Sequence, residues 1–280
     1  MRLRPRIGWM VCALGWLGAC AAGEADDPAP QALRTVGPDD AMDADHVLDA
    51  RDLPSFEDGH IEGSCSIDAG ALRATVGGVE GQVASREDAW AVFGAAGLEP
   101  ADTVVVTGLD NGTDASRIAW TLRYYGHEGD VLLLDGGMAA YTAAGLPTAS
   151  GTRARASAYS AGGTRADLRV DKAWMLEHLN DDSVMMFDVR TAEEFGQGHI
   201  PGAVHVNWEE NKGADGSFLG EAEVRSLHGD PSASTLVVYC RTGSRAAVSW
   251  ALLQGAGYDD VRLYDGSWAE WGADPDTPKE

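Results

Sequence analysis

Thiols are scarce in this chain. Only four of its 280 residues are cysteine, and with Cys12 and Cys20 both inside the first twenty positions, Cys65 and Cys240 alone remain for a folded body. A disulfide framework is thereby excluded as the basis of the fold. Basic charge is scarce too: 21 lysines and arginines stand against 44 acidic residues, a formal net charge of −23. A surface of that sign repels nucleic acid and anionic lipid, so neither is an expected partner, and an anionic substrate must be met by arginines placed locally. The apolar stretch at residues 7–16 is too short to cross a bilayer as a helix. Hydrophobic content of 44% with glycine and proline spread evenly describes a globular chain, and 280 residues suffice for two domains, each with its own core.

What the first twenty residues do contain is a basic start (Arg2, Arg4, Arg6), the short apolar stretch and the ending Leu17-Gly18-Ala19-Cys20. That order describes an export signal. Its ending is similar to a bacterial lipoprotein signal, which implies lipid on Cys20 and anchorage in the cell envelope, periplasmic or on the outer surface; cleavage and release is the plainer alternative. Residues 21–34, rich in Ala, Asp and Pro, are expected to be a flexible tether.

Sliding the chain along itself exposes an internal repeat. Asp49-Ala50-Arg51 matches Asp188-Val189-Arg190, and Gly59-His60-Ile61-Glu62-Gly63-Ser64 matches Gly198-His199-Ile200-Pro201-Gly202-Ala203, both at an offset of 139. Thr103-Val104-Val105-Val106 matches Thr235-Leu236-Val237-Val238 at 132, and Leu134-Asp135-Gly136 matches Tyr264-Asp265-Gly266 at 130. Short β-branched runs alternating with longer helical patterns predict, in each half, a mostly parallel sheet flanked by helices, a doubly wound α/β domain with its ligand at the carboxyl ends of the strands. The expected domains are 35–148 and 166–280, joined by a connecting segment at 149–165.

One strand end stands out. The run Leu236-Val237-Val238-Tyr239 leads into Cys240-Arg241-Thr242-Gly243-Ser244-Arg245, and residues 246–253 continue as an Ala-rich amphipathic helix. A thiol between a strand and a helix N-terminus meets unpaired backbone N–H groups, the positive end of the helix dipole and here two guanidiniums, all of which favour thiolate. Cys240 is therefore the nucleophile candidate, with Arg241, Thr242, Gly243, Ser244 and Arg245 as its binding loop. The first half is the chain's own control: Gly108-Leu109-Asp110-Asn111-Gly112-Thr113-Asp114-Ala115 is two residues longer, with no cysteine, no arginine and two aspartates. Cys65 reads as a small buried hydrophobe. His60 and His199, which recur in both halves, read as turn-stabilising.

These motifs together, from Asp188-Val189-Arg190 through the cysteine loop to Leu263-Tyr264-Asp265-Gly266-Ser267-Trp268, resemble the rhodanese (sulfurtransferase) superfamily over nearly all of the chain after about residue 36. The resemblance implies two tandem rhodanese-like domains, the first non-catalytic, and transfer of a sulfane sulfur through a persulfide on Cys240. The donor is expected to be a small anion such as thiosulfate, and the acceptor a thiol or cyanide. No cofactor or metal is called for, and a monomer is expected. Asp188, Arg190 and Trp268 are supporting candidates, with Asp188 as a possible carboxylate partner for Arg241. Thiosulfate-using eukaryotic members usually carry a lysine where Thr242 stands and an arginine near Glu193-Glu194-Phe195, and mercaptopyruvate-using members carry a Gly-Ser-Gly-Val-Thr loop; this chain has neither pattern. Two other classes stay open: a cysteine-dependent phosphatase or arsenate-type enzyme, and a non-enzymatic sulfur-binding module of the envelope. Phosphatase loops place five residues between Cys and Arg; here there are four.

Overall fold

In a computed structural model, residues 33–151, 156–229 and 234–280 are described. The expected export signal, Cys20 and most of the tether lie outside them. Leu33 is buried and Arg34 already opens a strand, so the packed chain includes residues expected to lie in the tether.

The first half runs β1 (Arg34–Val36), β2 (His46–Asp49), α1 (Leu53–Asp58), β3 (His60–Ile61), β4 (Cys65–Ser66), β5 (Arg73–Val76), β6 (Val79–Val83), α2 (Arg86–Ala95), β7 (Val104–Thr107), α3 (Thr113–Tyr124), β8 (Val131–Leu134), α4 (Gly137–Ala143) and β9 (Thr148–Ala149). The second half follows with β10 (Arg169–Val170), α5 (Lys172–Glu177), β11 (Val184–Asp188), α6 (Ala192–Gly196), β12 (Val204–His205), α7 (Glu221–His228), β13 (Thr235–Tyr239), α8 (Ser244–Gly255), β14 (Val261–Tyr264) and α9 (Ser267–Trp271). The main sheets have the orders β1-β8-β7-β2-β4 and β10-β14-β13-β11-β12, parallel throughout. Position for position these are the same sheet, as a duplication requires, and in each the central strand, β7 or β13, is buried along its whole length.

The two halves do not keep separate cores. A single apolar cluster joins Leu48, Val104, Ile118 and Trp120 to Leu236, Val238, Val248 and Leu252, while two smaller clusters cover the outer faces of the sheets. The contact is made by α3 and α8, which lie against each other. For that reason α8 is not amphipathic as expected: all of residues 246–253 are buried, one side against β13 and β14 and the other against α3. The described residues of the connecting segment from 156 onward also pack on the first half, with Tyr159 buried and the Ser157 N–H bonded to the Gly94 carbonyl.

Candidate active site

Strand β13 is clamped between β11 and β14, so the residue that follows it has a fixed address. That residue is Cys240, and it is 1% exposed. The loop of residues 240–243 then turns into α8 through Gly243, whose φ of +84° is a left-handed conformation that favours glycine. No side chain caps α8, which leaves the first N–H groups of that helix facing the loop.

The loop's carbonyls are occupied from behind. Those of Cys240 and Arg241 accept the N–H groups of Trp268 and Ala269 in α9, at 3.0 and 2.9 Å. In a planar trans peptide the N–H points opposite to the C=O, so the N–H groups of Arg241 and Thr242 are turned away from α9. The amide of Cys240 itself is held by Ser267, whose Oγ accepts it at 3.2 Å and donates to the Tyr264 carbonyl at 2.8 Å. Ser267 adopts φ +51°, unique among the described non-glycine residues. Amide donors turned away from α9, at a helix N-terminus, make a place where negative charge can be bound.

The two loop arginines have different partners. Arg245 makes a bidentate pair with Glu194 of α6, at 2.6 and 2.8 Å. Glu194 also closes the capping box of α6 with Thr191. The Arg245 guanidinium, helped by the Thr191 amide, pulls the Glu194 carboxyl down to about 2, against the opposing effect of burial. Arg245 is in turn pushed up, by Glu194 first and by the Cys240 sulfur as well. Arg241 is two-thirds exposed and pairs across the halves with Glu80 at 3.3 Å, a contact of the weak surface kind. Its expected partner Asp188 belongs instead to Arg190, which holds both carboxylate oxygens at 2.9 and 3.0 Å through Nε.

That Asp188–Arg190 pair is a feature of the fold. Arg190 donates on to the Gly198 carbonyl, and Arg51 repeats the arrangement with Asp49 and Gly59 in the half without a cysteine. Trp268 covers the Arg190 guanidinium at 4.4 Å, and its backbone N–H is the one that the Cys240 carbonyl accepts. His199 and His60 each bond a carbonyl four residues back and stack on Phe195 or Phe56, the turn-stabilising role expected of them. Cys65 is buried in β4 of the other sheet.

The first half supplies a wall. Its β5–β6 hairpin brings Gly81 against Thr242 so closely that a Cβ on Gly81 would lie 2.7 Å from the Thr242 Cβ. Between them runs a groove of about 330 Å³ lined by Arg73, Thr75, Glu80 and Thr242. A larger cavity of about 480 Å³ lies elsewhere, between α2 and the connecting segment at Trp90 and Tyr159, and has no cysteine in its lining. Chemistry, not volume, locates the site. Among the described residues no cluster of three or more His, Cys, Asp or Glu side chains is arranged to hold a metal.

The counterpart loop in the first half is one residue longer than the cysteine loop, not two, since five residues (108–112) separate β7 from α3 and four (240–243) separate β13 from α8. Asn111 fills it, donating to Asp135 at 2.7 Å and to the Gly216 carbonyl at 2.8 Å. Sequence reasoning missed Ser267, Glu80, Glu194, Asp265 and Arg117. The signal for Ser267 was its alignment with Gly137, which has φ +58°; the others come from contacts distant in sequence.

A family model for the rhodanese-like domain matches residues 38–144 and again 171–274. The chain belongs to the rhodanese family. A Haloferax volcanii protein provisionally named a thiosulfate sulfurtransferase is 33% identical over 210 residues, which is 68% of this chain and 73% of that one. The fold matches that of SseA from Escherichia coli, described as a 3-mercaptopyruvate sulfotransferase, with a TM-score of 0.73 at 24% identity over 84% of this chain and 98% of that one. It also matches an EanB variant in complex with hercynine, with a TM-score of 0.74 at 23% identity; that match takes in 84% of this chain and spans 63% of the EanB chain. By family and relatives the chain is a sulfurtransferase.

Proposed function

We propose that the enzyme moves a sulfane sulfur from thiosulfate, or a similar small anionic donor, to a thiophilic acceptor through a persulfide on Cys240. The Cys240 thiolate attacks the outer sulfur of thiosulfate; the new S–S bond forms as the old one breaks, and sulfite departs with the electron pair. A nucleophile such as cyanide then attacks the outer sulfur of the persulfide, leaving as thiocyanate and returning the thiolate. The observation that carries this reading is the buried Cys240 between a strand end and the uncapped start of α8, with the Arg245–Glu194 pair in the same loop. The donors would stabilise thiolate and persulfide alike, since both put negative charge on one sulfur in the same place.

Thiosulfate is favoured by Arg241. Its pair with Glu80 is exposed on both sides, worth about 0–1 kcal/mol, so a dianion displaces the carboxylate at little cost. Intact-mass measurement tests the reading: incubation with thiosulfate adds one sulfur atom, and cyanide removes it. Absence of the adduct together with Cys240-dependent release of phosphate from an aryl phosphate would overturn it in favour of a phosphatase. The chain is further proposed to be exported and lipidated on Cys20, on the strength of the Leu17-Gly18-Ala19-Cys20 ending; a mature protein that is soluble and unmodified at its amino terminus would refute this.

A further inference from the structure

Arg117 lies in α3, in the half without a cysteine, and its side chain is fully buried. Burial of an arginine demands that its donors be used, yet Nε and Nη1 have no hydrogen-bond partner. Nη2 donates to Asp265 at 2.6 Å and to the Gly81 carbonyl at 3.3 Å, and the guanidinium stacks on Trp120 at 4.6 Å. The unused Nη1 faces the cysteine loop: a Cβ on Gly243 would stand 2.8 Å from it and 3.1 Å from the Asp265 carboxylate.

We propose that Arg117 is a positioning residue for Cys240, packed with Asp265 behind the loop at Gly243 and placing fixed positive charge there. This rests on Cys240 being the nucleophile. Charged groups reach the loop from several elements: Arg245 with Glu194 of α6, Arg241 with Glu80 of β6, and Asp188 with Arg190 beyond β11. Each of those is one cation against one carboxylate. Asp265 is different, because Arg117 at 2.6 Å and Arg169 at 3.3 Å share it, so two positive charges meet one negative and one remains. The sister half shows that the fold does not need this excess. Asp135, which corresponds to Asp265, accepts from the neutral Asn111 amide and the Phe218 N–H, at 2.7 and 2.8 Å. The two arginines, Arg117 fully buried and Arg169 partly exposed, are found on the side that carries the thiol.

The test is the rate at which iodoacetamide alkylates Cys240 from about pH 5 to about pH 10, in a Cys65→Ser background, with near-ultraviolet circular dichroism to show that each variant is folded. Arg117→Met is expected to slow alkylation about tenfold near neutral pH and to displace the rate profile to higher pH, the size of effect that one charge a few ångströms behind a loop exerts. Arg117→Lys, which keeps the charge, recovers most of the rate. So does Arg117→Met with Asp265→Asn, which leaves Arg169 as the same single excess charge. Gly243→Ala, which crowds the guanidinium without removing it, provides a second perturbation should Arg117→Met fail to fold, and is expected to slow alkylation as well. A folded Arg117→Met protein whose profile superimposes on the parent's overturns the proposal. So does a loss that neither the lysine nor the double variant restores. Because alkylation needs no sulfur donor, these outcomes are distinct from any failure of sulfur transfer itself.

Discussion

Replacing Ser267 separates two effects that the structure joins in one residue. At φ +51° a side chain with a Cβ costs about 1 kcal/mol relative to glycine. Against that, the Ser267 hydroxyl satisfies the buried Cys240 amide, and leaving such a donor without a partner costs about 1–3 kcal/mol. Ser267→Ala keeps the strain and loses the bond, for a destabilisation of about 2 kcal/mol. Ser267→Gly loses the same bond but relieves the strain, so it is expected to be the more stable of the two by about 1 kcal/mol, or about 2–4 °C in a chain of this size. Sulfur transfer should fall alike in both, since each leaves the Cys240 backbone untied. Urea unfolding and the rate of thiocyanate formation are the assays. An alanine variant as stable as the glycine variant, or a glycine variant with full activity, refutes the account of Ser267 as a strained anchor for the nucleophile.

Other consequences can be checked directly. Cys240→Ser should abolish both sulfur loading and thiocyanate formation, while Cys65→Ser, in the other sheet, should leave most of each; substantial turnover by the Cys240 variant would move the site. Because the Glu194 carboxyl is held at about 2, below its ordinary value near 4.5, its pair with Arg245 stabilises the fold fully above about pH 4.5 and loses that contribution as pH falls toward 2. Glu194→Gln should therefore be less stable than the parent at neutral pH, and the gap should close through that acid window in urea unfolding at stepped pH. Gly81→Ala, at φ +78° and with its new Cβ 2.7 Å from that of Thr242, should weaken the contact between hairpin and loop and lower transfer more than Gly78→Ala at the open tip, where a Cβ meets nothing; equal activities would refute the hairpin as a wall of the site.

The sheets and their duplication were legible because parallel strands buried on both faces read as unbroken apolar runs, and Val104-Val105-Val106 and Leu236-Val237-Val238-Tyr239 are such runs. Cys240 was legible for a local reason: thiol, glycine and arginines fall within six residues. What was hidden depends on the other half. Pattern alone made residues 246–253 amphipathic, since nothing nearby in sequence says that α3 covers the second face. Arg241 was matched to Asp188 by proximity to a strand end, whereas Glu80 lies 161 residues away on the hairpin. Arg117 carried no motif at all; its role follows only from where α3 lands.

The relation between the halves is an exchange. The Val83 N–H of the first donates to Asp265 of the second, and the Phe218 N–H of the second donates to Asp135 of the first, both at 2.8 Å. Each half thus closes the loop end of the other. The asymmetry lies in what that closure leaves inside. In the first half the longer loop crowds position 137, where a Cβ would stand 2.7 Å from the Gly108 carbonyl and 2.8 Å from the Asp110 amide, so glycine is obligatory there and Asn111 fills the space. In the second the loop is one residue shorter, a serine with its hydroxyl fits at the corresponding position, and the amide it ties down is that of the cysteine. One residue removed from a loop is then enough to turn a packed corner into a place where a thiol stands among donors. The half with the longer loop still contributes the hairpin wall and Arg117, which accounts physically for a half with the loop thiol and a half without it sharing a single core.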